Sequence, residues 1–279
     1  MSLTIRALWV IDRNLARDLT LAEVARSCGV SRHHLAHAFG EATGCSVMTY
    51  VRGRRLSEAA RALAAGASSI LDLALESGYA SHEAFTRAFR ARFDASPEQV
   101  RQRASTDGLA MVEPIRGAEA PAPAISPSRF ETAGDILTVG LRSPCGFDDL
   151  EAIPTHWRRF GPSFAGIPDK ADPIPLGVMT AIDEDGAFDY VCAAQVTGFG
   201  QAPAEFSRLR IPAQAYAVFA HTGHVSGLRR IYAAIWNHWL RDSGRTAADA
   251  PSLERHHPTF DPRTGLGGLD VWIPLSAEA

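Results

Sequence analysis

The chain has 279 residues, enough for two domains with separate cores, and 46% of them are hydrophobic. Its 28 Lys+Arg against 31 Asp+Glu give a net charge of −3. Spread over the whole chain, that balance argues against a nucleic-acid partner, and no apolar run approaches a membrane span. No signal pattern precedes the first helix, and Cys28, Cys45, Cys145 and Cys192 lie far apart, without metal-like or redox-like spacing. A reducing cytosol fits this usage, with Cys28 and Cys192 read as buried filler.

Two stretches in the first third share one design. "GVSRHHLAHAFGEATG" (29–44) and "GYASHEAFTRAFRARF" (78–93) each run from a glycine turn through a serine N-cap into an amphipathic helix. Val24, Ala25 and Gly29 recur 49 positions later as Leu73, Ala74 and Gly78. Ser31, Leu35 and Phe39 recur 50 later as Ser81, Phe85 and Phe89, so the second copy holds one extra turn residue near Ala80. One such helix alone reads as an ordinary solvated amphipathic helix. Two copies of helix, turn and helix read as helix-turn-helix units. Ala25 and Ala74 admit close helix approach, and Gly29 and Gly78 supply the turn. Leu35, Phe39, Phe85 and Phe89 anchor each second helix from behind, leaving its outer face for a DNA major groove. Between the copies, Val51, Leu56, Ala59, Ala60 and Leu63 predict a helix from about Met48 to Ala65, roughly 27 Å long. Such a spacer holds two reading heads about one DNA turn, roughly 34 Å, apart.

"RSCGVSRHHLAHAFGEATG", "YVRGRRLSEAARALA" and "ESGYASHEAFTRAFRARFDASPEQVR" resemble the first reading unit, linker helix and second reading unit of AraC/XylS-type transcription regulators, over about residues 1 to 106. The resemblance implies base contacts from Arg32, His33, Ala36 and His37, and from His82, Glu83, Thr86 and Arg87, with Arg90 beside them. Ala36 has no hydrogen-bonding side chain, and His37 stands where a longer basic side chain is common, so weaker readout by the first unit is expected. Double-stranded DNA and RNA polymerase are the implied partners, in a bacterial cytoplasm and without a membrane.

Charge distribution agrees. Residues 1 to 106 carry 14 Arg, no Lys and 10 acidic residues, so the positive excess lies where phosphate contacts need it. Arg52, Arg54, Arg55 and Arg61 are candidate phosphate clamps, with solvated helix-face arginines as the equal alternative. From Ala104 to Ser128, Pro114, Pro121, Pro123 and Pro127 sit among small residues without periodicity, which reads as a semi-extended linker in which "LAMV" forms an ordered arm. The expected organisation is an all-α DNA-binding domain over 1–106, a Pro-rich linker over 107–128, and a second domain over 129–279.

That second domain reads as α+β. "DILTVGLRS", "IPLGVMTAI", "FDYVCAAQV", "QAYAVFAHTG" and "LDVWIPL" are strand-like, and "FDDLEAIPTHWRRFGPSF" and "HVSGLRRIYAAIWNHWLRDSG" helix-like, giving a duplicated order of strand, helix, strand, strand. "QAYAVFAHTGHVSGLRRIYAAIWNHWL" and "PSLERHHPTFD" followed by "LDVWIPL" resemble the GyrI-like small-molecule-binding domain over about residues 129 to 276. The resemblance implies an aromatic pocket for cationic, lipophilic ligands with an acidic residue at its base, and the matching residue is Glu254. A surface pair of Glu254 with Arg255 or His257 is the alternative. Trp157, Tyr190, Phe219, Trp236 and Trp272 are the candidate walls, although Leu228, Ile231, Tyr232, Ile235 and Trp239 describe a core face that Trp236 would extend. His256 and His257 point to opposite strand faces with no third ligand evident, so no metal is expected. No cofactor is expected either. The function so implied is a DNA-binding regulator that senses a small cationic or aromatic effector. The alternative is a fused hydrolase using the pocket Glu, for which no Ser-His-Asp or Cys-His signature speaks, so no catalytic residue is assigned.

Overall fold

The computed structural model describes residues 1–116, 123–180, 182–183, 185–200 and 202–276. Pro121 of the expected linker, Ala181 of an expected strand and the last three residues lie outside them. The chain divides into two compact units. One holds Met1, residues 5–32 and residues 47–119; the other holds residues 2–4, 33–46 and 120–279.

The helices of the first third are α1 (Leu3–Arg13), α2 (Leu21–Ser27), α3 (Arg32–Thr43), α4 (Val47–Ala64), α5 (Ile70–Glu76), α6 (His82–Phe93) and α7 (Pro97–Arg103). Their starts are written in the sequence. Thr20 and Glu23 close a capping box on α2, and Ser96 and Gln99 close another on α7 with Pro97 in its first turn. Ser69 and Ser81 cap α5 and α6 through the backbone N–H of Asp72 and Ala84. The α5–α6 turn is made by Gly78 at φ +82°, a conformation costly for any residue with a Cβ.

In the first unit, Leu56, Ala59, Ala60 and Leu63 of α4 meet Ala74 of α5, Phe85, Phe89 and Phe93 of α6, and Val100 of α7. Phe89 lies 5.5 Å from Phe85 and 4.7 Å from Phe93 between ring centroids, and burying each ring contributes about 1.5–3 kcal/mol. The chain after α7 begins as an ordered arm. Leu109 and Met111 join this core, Ser57 accepts from Val112 N at 2.8 Å, and Tyr50 Oη accepts from Ile115 N at 3.2 Å.

Two arginines expected as phosphate clamps are corrected here. Arg54 is only 4% exposed. It pairs with Asp12 and Glu58 and donates to the Val112 carbonyl at 3.1 Å, because its helix position faces α1 and the arm. Arg55 donates to the carbonyls of Leu15 and Arg17, satisfying backbone acceptors just beyond the end of α1. Arg52 is exposed, and Arg61 is held by Glu58 and Glu113.

The second unit is built on one eight-stranded antiparallel sheet. Its strands are β1 (Arg129–Ala133), β2 (Ile136–Gly146), β3 (Leu176–Met179), β4 (Ala187–Val196), β5 (Ser207–Ile211), β6 (Gln214–His221), β7 (Ser252–His256) and β8 (Leu269–Leu275), in the spatial order β1-β6-β8-β7-β3-β4-β2-β5. The order is symmetric about the β7–β3 pair. On one side lies β2, helix α8 (Ile153–Phe164), β3 and β4. On the other lies β6, a helix running through α9 (Leu228–Ala234), a π-turn (Ile235–Trp239) and α10 (Leu240–Ser243), then β7 and β8. The α+β duplication is as the sequence led one to expect. Strands β1 and β5 were missed: each is five residues long, β1 carries no buried residue, and both close the outer edges.

Alternation along the strands sorts the side chains. Tyr190, Cys192 and Ala194 of β4 pack on the helix-covered face with Phe160 of α8. Val191 and Ala193 join Tyr216, Val218, Leu253 and Trp272 on the opposite face.

Candidate functional site

The seam between the two halves of the sheet places Gly177 of β3 opposite Glu254 of β7. Glu254 lies on the helix-covered face and is 8% exposed. Tyr190 Oη donates to Glu254 Oε2 at 2.6 Å, and Tyr232 Oη of α9 donates to Oε1 at 3.0 Å. Trp157 Nε1 of α8 donates to Tyr190 Oη at 3.1 Å. The helix of one half thus reaches the carboxylate directly, through Tyr232, and that of the other reaches it by way of the Tyr190 hydroxyl. Gly177 makes the approach possible, since a Cβ there would stand 2.2 Å from Tyr190 Oη.

Burial pushes the Glu254 carboxyl above its usual range, and the two phenol donors pull it partly back. Burial, and then the Glu254 charge, hold both phenols well above the ordinary tyrosine range, so they act as neutral donors. Among the described residues, the groups that set the Glu254 carboxyl are its burial and the hydroxyls of Tyr190 and Tyr232. A buried carboxylate without a counter-charge costs several kcal/mol, which an organic cation would offset, with aromatic faces adding about 0.5–2 kcal/mol each.

The expected pocket walls divide. Trp157 and Tyr190 belong to the site. Phe219 is on the same sheet face, since it pairs with Val271, which pairs with Glu254, but its ring packs on Trp239 at 4.9 Å. Trp272 is corrected: it pairs with Leu253, one residue along from Glu254, and so points to the other face, against Tyr216 at 5.4 Å. Trp236 is fully buried and faces α3 rather than Glu254's phenols. Tyr232 was read as a core residue and is a second phenol on the carboxylate. Its helical spacing matches a core stripe, and only the fold shows the hydroxyl reaching β7. Glu254 does not form the alternative surface pair: Arg255 bridges toward Asp172 and Gln195, and His257 bonds Asp270 at 3.0 Å.

The two reading helices also differ. On α6, Glu83, Arg87 and Arg90 are exposed, while His82, 3.6 Å from Glu98, and Thr86 are half-buried. On α3, Arg32 is exposed, but the expected exposure of His33, Ala36 and His37 is corrected: all three are buried. The His37 ring stacks on Trp236 at 4.1 Å and 2° from parallel, and His33 meets the same indole edge-on at 5.5 Å. His34 Nε2 is 2.7 Å from the Trp236 carbonyl. Glu41, one turn further along α3, is buried with neither carboxylate oxygen hydrogen-bonded. Its carboxyl is pushed up to about 8, chiefly by burial, with Arg229 opposing and Glu254 adding to the shift.

Residues 24–103 match the family described as a helix-turn-helix domain, and residues 127–276 match the GyrI-like small molecule binding domain. Transcriptional regulator Rob of Salmonella typhimurium is 26% identical over 264 residues, spanning 91% of this chain and 90% of Rob. The right origin-binding protein of Escherichia coli is 26% identical over 275 residues, again spanning 91% of this chain and 90% of the relative. The probable transcription factor PqrA of Proteus vulgaris is 40% identical over 94 residues, 33% of this chain and 77% of PqrA. Among the described residues no helix is long and apolar enough to cross a membrane.

Proposed function

Because the chain belongs to the AraC family of DNA-binding transcriptional regulators and carries a GyrI-like small-molecule-binding domain, we propose that its effector is an organic cation anchored by Glu254. The observation that carries this is the Glu254 carboxylate, buried and held by two neutral phenols that leave its charge uncompensated among the groups that set its titration. Tyr190 and Tyr232 fix its orientation, and Trp157 supplies an aromatic wall. On this reading the site binds its effector and returns it unchanged, which chromatography of a cationic dye recovered from the complex checks.

DNA is read by α6 through Glu83, Arg87 and Arg90, with His82 and Thr86 at the margin, and by α3 through the exposed Arg32. Arg52 and Arg61 meet phosphates. The DNA-binding part spans about residues 1–106 and the effector domain about residues 129–276, and RNA polymerase is the further partner, in the bacterial cytoplasm. Calorimetry of the full chain with crystal violet, a lipophilic cationic dye, tests the anchor. Glu254→Gln keeps the shape and removes the charge, and is expected to weaken the dye by at least about 1.5 kcal/mol. Equal affinity in the two proteins would refute the assignment.

A further inference from the structure

From His33 on, α3 belongs to the second unit, and the face carrying its expected reading residues packs inside that unit. His37 lies flat on Trp236 and edge-on to Phe147 at 6.2 Å, so the helix contacts aromatic side chains from both halves of the sheet domain. Gly40 sits so close to Phe147 that a Cβ would stand 2.2 Å from its ring. Asn237 Nδ2 donates to the Ala38 carbonyl at 2.9 Å, and Arg229 Nε donates to the Glu41 carbonyl at 3.0 Å. Glu41 thereby enters the electrostatic neighbourhood of Glu254 and Tyr232.

This seat is poorly matched in its polar groups. His33 Nε2, His37 Nδ1 and both Glu41 oxygens are buried without a hydrogen bond, as is Trp236 Nε1. Each such group forfeits its hydration, at a cost large enough that a permanent core would favour apolar residues here. Polar residues at these positions fit a helix whose other environment is polar, and the rim of a DNA major groove is such an environment. Burial, with the Glu254 charge adding to it, keeps the seated Glu41 carboxyl protonated up to about 8, so ionising it weakens the seat.

We propose that α3, seated on Trp236 of the helix that carries Tyr232 to Glu254, competes with the effector through that helix, so that a cationic effector and the seated α3 exclude one another and effector binding frees the first reading face for DNA. The inference rests on the reading of Glu254 as the effector anchor. A helix face cannot lie on Trp236 and in a major groove together, and a ligand that lowers the free energy of the open form raises its population in proportion to its differential affinity.

Two variants loosen the seat from opposite sides without touching the Glu254 cluster. Gly40→Ala wedges α3 against Phe147 while favouring the helix itself, and Asn237→Ala removes the bond to the Ala38 carbonyl. A duplex selected from a randomised pool by the full-length Gly40→Ala protein serves as the DNA probe. Full-length wild type is expected to bind it at least fivefold more weakly than either variant, and saturating crystal violet to close that gap. Amide exchange over residues 33–46 is expected to speed up at least tenfold when the dye binds. Equal DNA affinity of wild type and both variants would overturn the proposal. So would unchanged or slowed exchange over residues 33–46 in protein that calorimetry shows to be dye-bound, an outcome that leaves Glu254 standing as the anchor. Dye binding insensitive to Glu254→Gln would remove the anchor, and the DNA comparison of the variants then decides the helix seat alone.

Discussion

The imidazole of His37 lies parallel to the indole of Trp236, ring centroids 4.1 Å apart and planes 2° from coincident. One partner belongs to a helix whose sequence marks it as a DNA reader, the other to the helix that also delivers Tyr232 to Glu254. Burial drives the His37 pKa well below its ordinary value, so the ring stacks in its neutral form. The Glu254 cluster and α3 therefore share one short piece of structure, the helix that carries Tyr232 and Trp236.

The titration of Glu41 gives this contact a pH dependence. Its carboxyl is at about 8 when seated and returns toward 4.5 when α3 is released, so the seated state is favoured fully below the lower value and loses that advantage as pH rises to 8. His33 and His37 act in the opposite sense, because burial lowers both and their protonation below about 6.5 opens the seat. Between pH 6.5 and 8 the Glu41 effect is free of the histidine charges, and the ionisable groups facing it are Arg229 and Glu254. The protection factors of residues 33–46 are expected to fall by up to about tenfold per pH unit there. Glu41→Gln is expected to flatten the profile, and an unchanged slope in that variant would assign the dependence to another group.

Gly177 gives the ligand site its geometry. A methyl group at this position would stand 2.2 Å from Tyr190 Oη and 3.2 Å from Glu254 Oε2. Gly177→Ala is expected to destabilise the second unit by about 1–3 kcal/mol through overpacking. It is also expected to weaken crystal violet at least fivefold by shifting the phenol off the carboxylate. Urea unfolding and calorimetry on the same protein measure the two effects, and a variant with wild-type values for both would remove Gly177 from the account.

Two of the three tryptophans read from the sequence as pocket walls, Trp157 and Trp272, separate by sheet face. Trp157→Phe deletes the donor to Tyr190 Oη and is expected to weaken dye binding several-fold. Trp272→Phe alters the opposite face, where Arg129 and Arg255 lie over the indole. It is expected to cost about 1–3 kcal/mol of stability while leaving dye affinity within twofold. Parallel titrations of the two proteins decide between the faces, and equal losses of affinity would contradict the assignment.

Arg54 and Arg87 make the corresponding contrast on DNA. Arg87→Ala is expected to cost about 1–3 kcal/mol on a selected duplex and little on random sequence, because the side chain is exposed on the reading face of α6. Arg54→Ala is expected to lower the stability of the first unit by about 1–3 kcal/mol, since it strips bonds from Asp12, Glu58 and the Val112 carbonyl. Its effect on DNA is expected to follow from unfolding alone. Salt-dependent binding curves and thermal melts separate these outcomes. A loss of affinity by folded Arg54→Ala with a shallower salt slope would restore it as a phosphate clamp.

The sequence alone determined the repeated helix-turn-helix units and the α+β second domain. Each of these depends on local spacing: the serine caps, the turn glycines, the phenylalanine stripe of α6 and the alternating strands are legible from neighbours within a few residues. Tertiary structure decided what faces what. Arg54 looks like any helix arginine until α1 and the arm close over it, and Tyr232 looks like core until β7 brings Glu254 to its hydroxyl. Trp272 shares its strand with residues of the other face, and the register that fixes its side is set by pairing with β7. The burial of His33 and His37 lay furthest from the sequence, because their spacing describes an open face. Only the packing of Trp236, about 200 residues further along the chain, shows it covered.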